Sequence, residues 1–134
     1  MQDGGQGVRA LSLHQPWASL IHDGRKKIET RGWEMLFRGP LAIHAAKTVN
    51  KFACEQFGYD PLTVPLGAIL CIVDVVGCVR LPHELAPPDE YGNFEAGRFG
   101  ILLTMRRRLE MPVLAKGHQG IWHWTESSEA EASA

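Results

Sequence analysis

Between Leu11 and Lys47 the chain switches between strand-like and helix-like hydrophobic period, in the run LSLHQPWASLIHDGRKKIETRGWEMLFRGPLAIHAAK. Such switching within so short a span admits only short strands and a short helix packed together. Val8 to Leu13 alternates, with Leu11 and Leu13 on one face and Ala10, Ser12 and His14 on the other. Pro16 suits the first position of a helix, Trp17, Leu20 and Ile21 give it an apolar stripe, and Gly24 ends it. A helix of about two turns holds only by packing against neighbours. Gln15 falls at its cap and is a poor capping residue, so free N–H groups are expected there, open to a phosphate or a base edge.

Lys27 to Trp33 reads as a second strand, with Ile28 and Thr30 facing one way and Lys27, Glu29, Arg31 and Trp33 the other. Pro40 to Ala46 is a third, with Leu41, Ile43 and Ala45 inward and Ala42, His44 and Ala46 on the opposite face. Alanines flanking a histidine leave volume that a packed interior would fill. The expectation is a shallow cleft floored by Ala42 and Ala46, with His44 projecting into it and Lys47 at its rim.

Thr48 is placed as the cap of a second helix, with the stripe Phe52, Ala53, Gln56 and Phe57 and a stop at Gly58. Gly67 to Val76 is an almost unbroken apolar strand interrupted by Asp74, a carboxylate for which a structural partner is expected. Pro82 to Ala96 is a polar loop, a lid or an insertion. Arg98 to Met105 and Leu109 to Ala115 read as two strand segments, the second broken by Pro112 and so at an edge. Trp122 and Trp124 share one face of a last short strand and are assigned to the core. Gln119, between Gly117 and Gly120, can reach a base edge, and Trp17 is the favoured stacking platform.

The 134 residues allow one domain, taken as residues 8–125, with a flexible N-terminus at 1–7 and a disordered acidic tail at 126–134. No apolar run reaches the ~20 residues needed to span a bilayer, and the glycine-rich start lacks the design of a signal peptide. A cytoplasmic location is expected. Cys54, Cys71 and Cys78 lack metal-ligand spacing and read as reduced thiols, and neither a metal nor a cofactor is expected. Net charge is −1, yet Arg25, Lys26, Lys27, Arg31, Arg38, Lys47 and Lys51 crowd one stretch against only Glu29 and Glu34, and Arg106, Arg107 and Arg108 form a second basic cluster. A basic face on a near-neutral chain suits a phosphate backbone bound in a salt-sensitive way.

The segments LSLHQPWASLI, GRKKIETRGW, GPLAIHAAK, GAILCIVDVV, GRFGILLT and PVLAKGHQGIWHW, in this order from Leu11 to Trp124, resemble the activating-signal-cointegrator homology (ASCH) domain. The resemblance implies an α+β, PUA-like fold: a small mixed β-barrel with two or three packed helices and a ligand cleft lined by these motifs. It also implies binding of RNA or of modified bases. In one bacterial branch it implies an amidohydrolase acting on acetylcytidine, whose motif lysine falls on Lys26. Glu29 stands where that branch has a threonine, which weighs against hydrolysis.

The expected function is therefore nucleic-acid binding, RNA or DNA, in a cleft accepting a single-stranded or flipped-out nucleotide. Ser12, His14, Gln15, Trp17, Lys26, Glu29, Arg31, His44, Lys47 and Gln119 are the expected site residues. Lys26 and Glu29 would be catalytic only in the hydrolase alternative. A protein-interaction domain in a transcription or RNA-processing assembly is the third reading.

Overall fold

Strand-period segments and two short helices assemble into the α+β architecture that the resemblance implies. The computed structural model describes residues 7–126. In chain order the elements are β1 (Gly7–Gln15), α1 (Trp17–His22), β2 (Ile28–Arg31), β3 (Gly39–Val49), α2 (Lys51–Phe57), β4 (Ala68–Arg80), β5 (Phe99–Leu114) and β6 (Ile121–Thr125). They form a six-stranded mixed sheet in the order β2-β5-β4-β3-β1-β6. Among the described residues only β1 and β3 run parallel, as expected for neighbours joined by a crossover that includes a helix.

The sheet is not a closed barrel. β2 is four residues long and pairs only Phe99–Leu102 of β5, while β6 pairs only β1, so the two edges share no ladder. β5 is one long strand, not two segments, and its ladder with β4 is interrupted by register shifts. Beyond Leu102 it has no second partner strand among the described residues, so the missing N–H of Pro112 falls where little pairing is lost.

Both faces of the sheet are packed. Leu11 and Leu13 of β1 and Leu41, Ile43 and Ala45 of β3 meet Leu70, Val73, Val75, Ile101 and Leu103, with Ala18 and Ile21 of α1 closing the cluster. On the other face Ala10 and Ala42 lie side by side in register, and Trp122 pairs opposite Ala10. Trp122 and Trp124, with Ile69 and Ile72, fill the volume over these alanines. The hollow expected above Ala42 is thus occupied by indole rings, because the last strand returns beside the first.

The helix ends differ from expectation in instructive ways. Asn50, not Thr48, caps α2: its Oδ1 accepts from Ala53 N at 2.9 Å, while Thr48 still belongs to β3. Gly58 closes α2 in the left-handed region at φ 87°. Asp74 has the structural partner expected of it, Arg106 at 3.0 Å. Burial pushes the Cys71 thiol up to about 12, so it stays unreactive. Among the described residues no helix is long and apolar enough to cross a membrane. Apart from Gly7 and Glu126, the expected flexible start and acidic tail lie outside the described residues.

Candidate nucleic-acid interface

The expected single cleft is two adjoining hollows. The first, about 580 Å³, is bounded by Trp17, Phe52, Phe57 and Tyr91 together with Lys26, Glu29, Thr30 and Asn93. The second, about 1120 Å³, is bounded by His44, Lys47, Leu66, Leu114, Lys116 and Gln119. Ser12, His14 and Arg31 line both and form the ridge between them.

In the first hollow β2 presents Glu29, 8% exposed, between two cations. Arg31 Nε donates to its Oε2 at 2.7 Å, and Lys26 Nζ stands 3.5 Å from Oε1. Lys26 is only 2% exposed and also donates to the carbonyl of Tyr91 at 3.0 Å. A charge removed from water needs such partners. The loop at 82–98 therefore serves as a wall: Asn93 N donates to Thr30 Oγ1 at 3.2 Å, and Arg98 donates to the carbonyls of Asn93 and Thr30. Tyr91 packs edge-on against Phe57, with Arg25 over its ring.

Trp17 lines this hollow but is half-buried and packs into two apolar clusters, so it is a wall more than a free platform. The open aromatic is Phe52, 77% exposed at the mouth. Its spacing had marked it for the helix's packed stripe, but α2 turns it outward.

Gln15 requires a correction. It is fully buried; its Oε1 accepts from Ser19 N at 2.9 Å, and its Nε2 donates to Ser19 Oγ and to the carbonyl of Pro65, each at 2.8 Å. Its side chain satisfies a helix N–H and ties the helix start to a distant loop. One of the N–H groups expected to be free, that of Ser19, is thus satisfied within the fold, and Gln15 is too deeply buried to reach a base.

His44 and Ser12 are likewise committed inside the fold. A carbonyl can only accept, so His44 Nε2 carries the proton it donates to Ala115 O at 2.7 Å, and Nδ1 accepts from the Ser12 hydroxyl at 2.9 Å. Trp122 Nε1 in turn donates to Ser12 Oγ at 3.1 Å. Burial lowers the His44 pKa, against the opposing pull of the Ala115 hydrogen bond, and keeps the ring neutral. His44 is 2% exposed, so it is the floor of the second hollow and not a projecting contact.

Lys47, Lys116, His118 and Gln119 are exposed around that floor, and His14 is exposed on the ridge. The other basic residues are dispersed. Arg38 donates to the carbonyls of Met35 and Phe37, and Arg25 to that of Phe57. The arginine triplet is not a second patch at the cleft: Arg106 pairs with Asp74, Arg107 with Glu126, and Arg108 donates to the His22 carbonyl. Sequence reasoning missed Phe52, Thr30, Tyr91, Asn93, Arg98 and Lys116 as site residues. Nothing local in the sequence marks them, since all but Thr30 reach the hollows from outside the Leu11–Lys47 run.

Comparison with known proteins agrees with this architecture. The family model described as "ASCH domain" matches residues 11–101. The chain is 36% identical over 135 residues to activating signal cointegrator 1 of Homo sapiens, an alignment covering 90% of this chain and 23% of that protein. It is also 36% identical over 133 residues to activating signal cointegrator 1 of Mus musculus, with the same coverage of each. The chain spans less than a quarter of the length of these curated relatives. On the match of the family model over most of its length and on these relatives, the chain belongs to the ASCH domain family.

Proposed function

We propose that this chain is a nucleic-acid binding module whose first hollow accepts one unstacked or flipped-out base, with phosphates held by basic residues elsewhere along the cleft. The observation that carries this reading is the convergence of Phe52, Phe57, Trp17 and Tyr91 on the same 580 Å³ space as the Lys26–Glu29–Arg31 cluster. Aromatic walls suit the faces of a base, and a fixed set of polar groups suits its edge. A duplex would have to release the base before it could enter. Membership of a family that generally binds RNA supports nucleic acid as the partner class.

The test is a titration of the intact chain against RNA, single-stranded DNA and duplex DNA at two salt concentrations. Single strands should bind more tightly than uninterrupted duplex, and added salt should weaken them. Tighter binding to duplex, or no binding to any of them at low salt, refutes the reading.

A second reading rests on Lys26, Glu29 and the Thr30 hydroxyl lining one hollow: an amidohydrolase acting on a modified nucleoside such as acetylcytidine. Release of acetate from acetylcytidine by the wild-type chain, lost in Lys26→Ala, would support it. Absence of turnover by the wild type would remove it.

A further inference from the structure

The two hollows differ in kind, and the difference bears on the length of ligand recognised. In the first, every cation on the lining is already bonded within the fold. Lys26 and Arg31 flank Glu29, Arg98 is held by the carbonyls of Thr30 and Asn93, and Glu90 adds a further acid. Such a space has little net charge to offer a phosphate. Among the described residues the second hollow is lined by Lys47 and Lys116 and by no acidic residue. Among the described residues neither lysine makes an ion pair. Its lining also includes exposed Leu66 and Leu114, apolar surface for a sugar or a base face, and Gln119 for a base edge.

The ridge between them consists of two residues of β1 and one of β2. Ser12 and His14 are two residues apart on β1, so they point to the same side about 7 Å apart. Arg31, which reaches the Ser12 carbonyl at 3.4 Å, completes the ridge. A polynucleotide backbone can step across so narrow a divide, and the exposed imidazole of His14 lies beneath that step. The first hollow, about 580 Å³, is the size of a site for one small ligand, roughly 300–1,000 Å³. The second is roomier and lies next along the path.

Resting on the nucleic-acid reading above, we propose that the recognised unit is two consecutive nucleotides: one base enters the aromatic hollow, the linking phosphate crosses the Ser12–His14–Arg31 ridge, and the next nucleotide lies in the lysine-lined hollow. Base selectivity then resides in the first hollow and salt dependence in the second. A mononucleotide engages only half of this surface.

The experiment is a calorimetric titration of the intact chain with the mono-, di- and tetranucleotides of each of the four bases, ribose and deoxyribose, at low and moderate salt. For the preferred base, affinity should rise at least tenfold from mononucleotide to dinucleotide and change little beyond it. In the Lys47→Ala/Lys116→Ala double variant that rise should vanish, and the affinity of the tetranucleotide should depend less steeply on salt. Both lysines are exposed, and a thermal melt of the variant that matches the wild type establishes that it folds. A mononucleotide that binds as tightly as the dinucleotide, a steady gain with every added nucleotide, or a double variant that keeps both the rise and the salt dependence overturns the proposal while leaving nucleic-acid binding intact. Failure of every length to bind removes the nucleic-acid reading and this proposal together.

Discussion

Gly117 lies flat against the imidazole of His44: a Cβ at position 117 would stand 2.5 Å from Cε1 and 2.7 Å from Nδ1 of that ring, and 2.7 Å from Ser12 Oγ. The glycine is needed for close approach. Its contact seats the turn that carries His118 and Gln119 onto the hydrogen-bond chain from Trp122 through Ser12 and His44 to Ala115.

Gly117→Ala should lower stability by about 1–3 kcal/mol, the usual cost of forcing extra volume into a packed site. Ser12 and His44 would have to part to admit the methyl group. Chemical denaturation measures the loss, and an unchanged midpoint would show that the turn is not seated on His44.

The pH dependence of stability follows from the same ring. Burial holds the folded His44 pKa below its ordinary value of about 6.5. In mildly acidic solution the unfolded chain thus binds more protons at this site than the folded protein. The stability due to the neutral ring is complete above about pH 6.5 and is lost as pH falls through the window below it. Melting temperature should decline across that window while an NMR titration of His44 reports a midpoint under 6.5. A midpoint above that value contradicts the burial argument.

Removing Glu29 should cost more than removing Lys26. Glu29→Gln leaves Lys26, whose side chain is 2% exposed, without its carboxylate and frees Arg31 as well. Lys26→Met leaves Glu29 still paired with Arg31 at 2.7 Å. The first change is expected to cost about 3 kcal/mol, the scale of a broken buried pair, and the second clearly less. Urea denaturation of the two variants gives the order, and the reverse order would mean that Lys26 is the residue holding the cluster together.

Phe52→Ala should weaken oligonucleotide binding by about 1–3 kcal/mol, the worth of one base stacked on an aromatic ring, and leave the melting temperature nearly unchanged because the ring is 77% exposed. Trp17→Ala should lower the melting temperature, since its indole packs into two core clusters. Anisotropy titrations paired with thermal melts separate the two. Undiminished binding by Phe52→Ala would remove that ring from the interface.

Much of the fold was legible without coordinates. Leu11 and Leu13, like Leu41 and Ile43, alternate with small or polar neighbours and do enter one core. Gly58 ends its helix, and the apolar run of β4 from Ala68 to Val73 is covered on both faces. The chemically pointed residues of the Leu11–Lys47 run, Gln15 apart, do line adjoining hollows. Local alternation carries this information because strand and helix period dictate which side chains share a face, whatever lies opposite.

What lies opposite was settled only by the assembled chain. Alanine at 42 signalled room but not its occupant, and the occupant is the pair Trp122 and Trp124, delivered by a strand some eighty residues away. Gln15 read as an open helix end because its partner, the Pro65 carbonyl, comes from a loop fifty residues on. Arg31 shares a strand face with Glu29 by spacing alone, whereas the Ser12 carbonyl came within its reach only in the assembled fold. Patterning along the chain thus determined the elements and their inward faces, while strand order and register decided which polar groups were satisfied within the fold and which, such as Lys47 and Phe52, remained open. A side chain's hydrogen bonds and its exposure depend on neighbours remote in sequence, and only tertiary packing selects those neighbours.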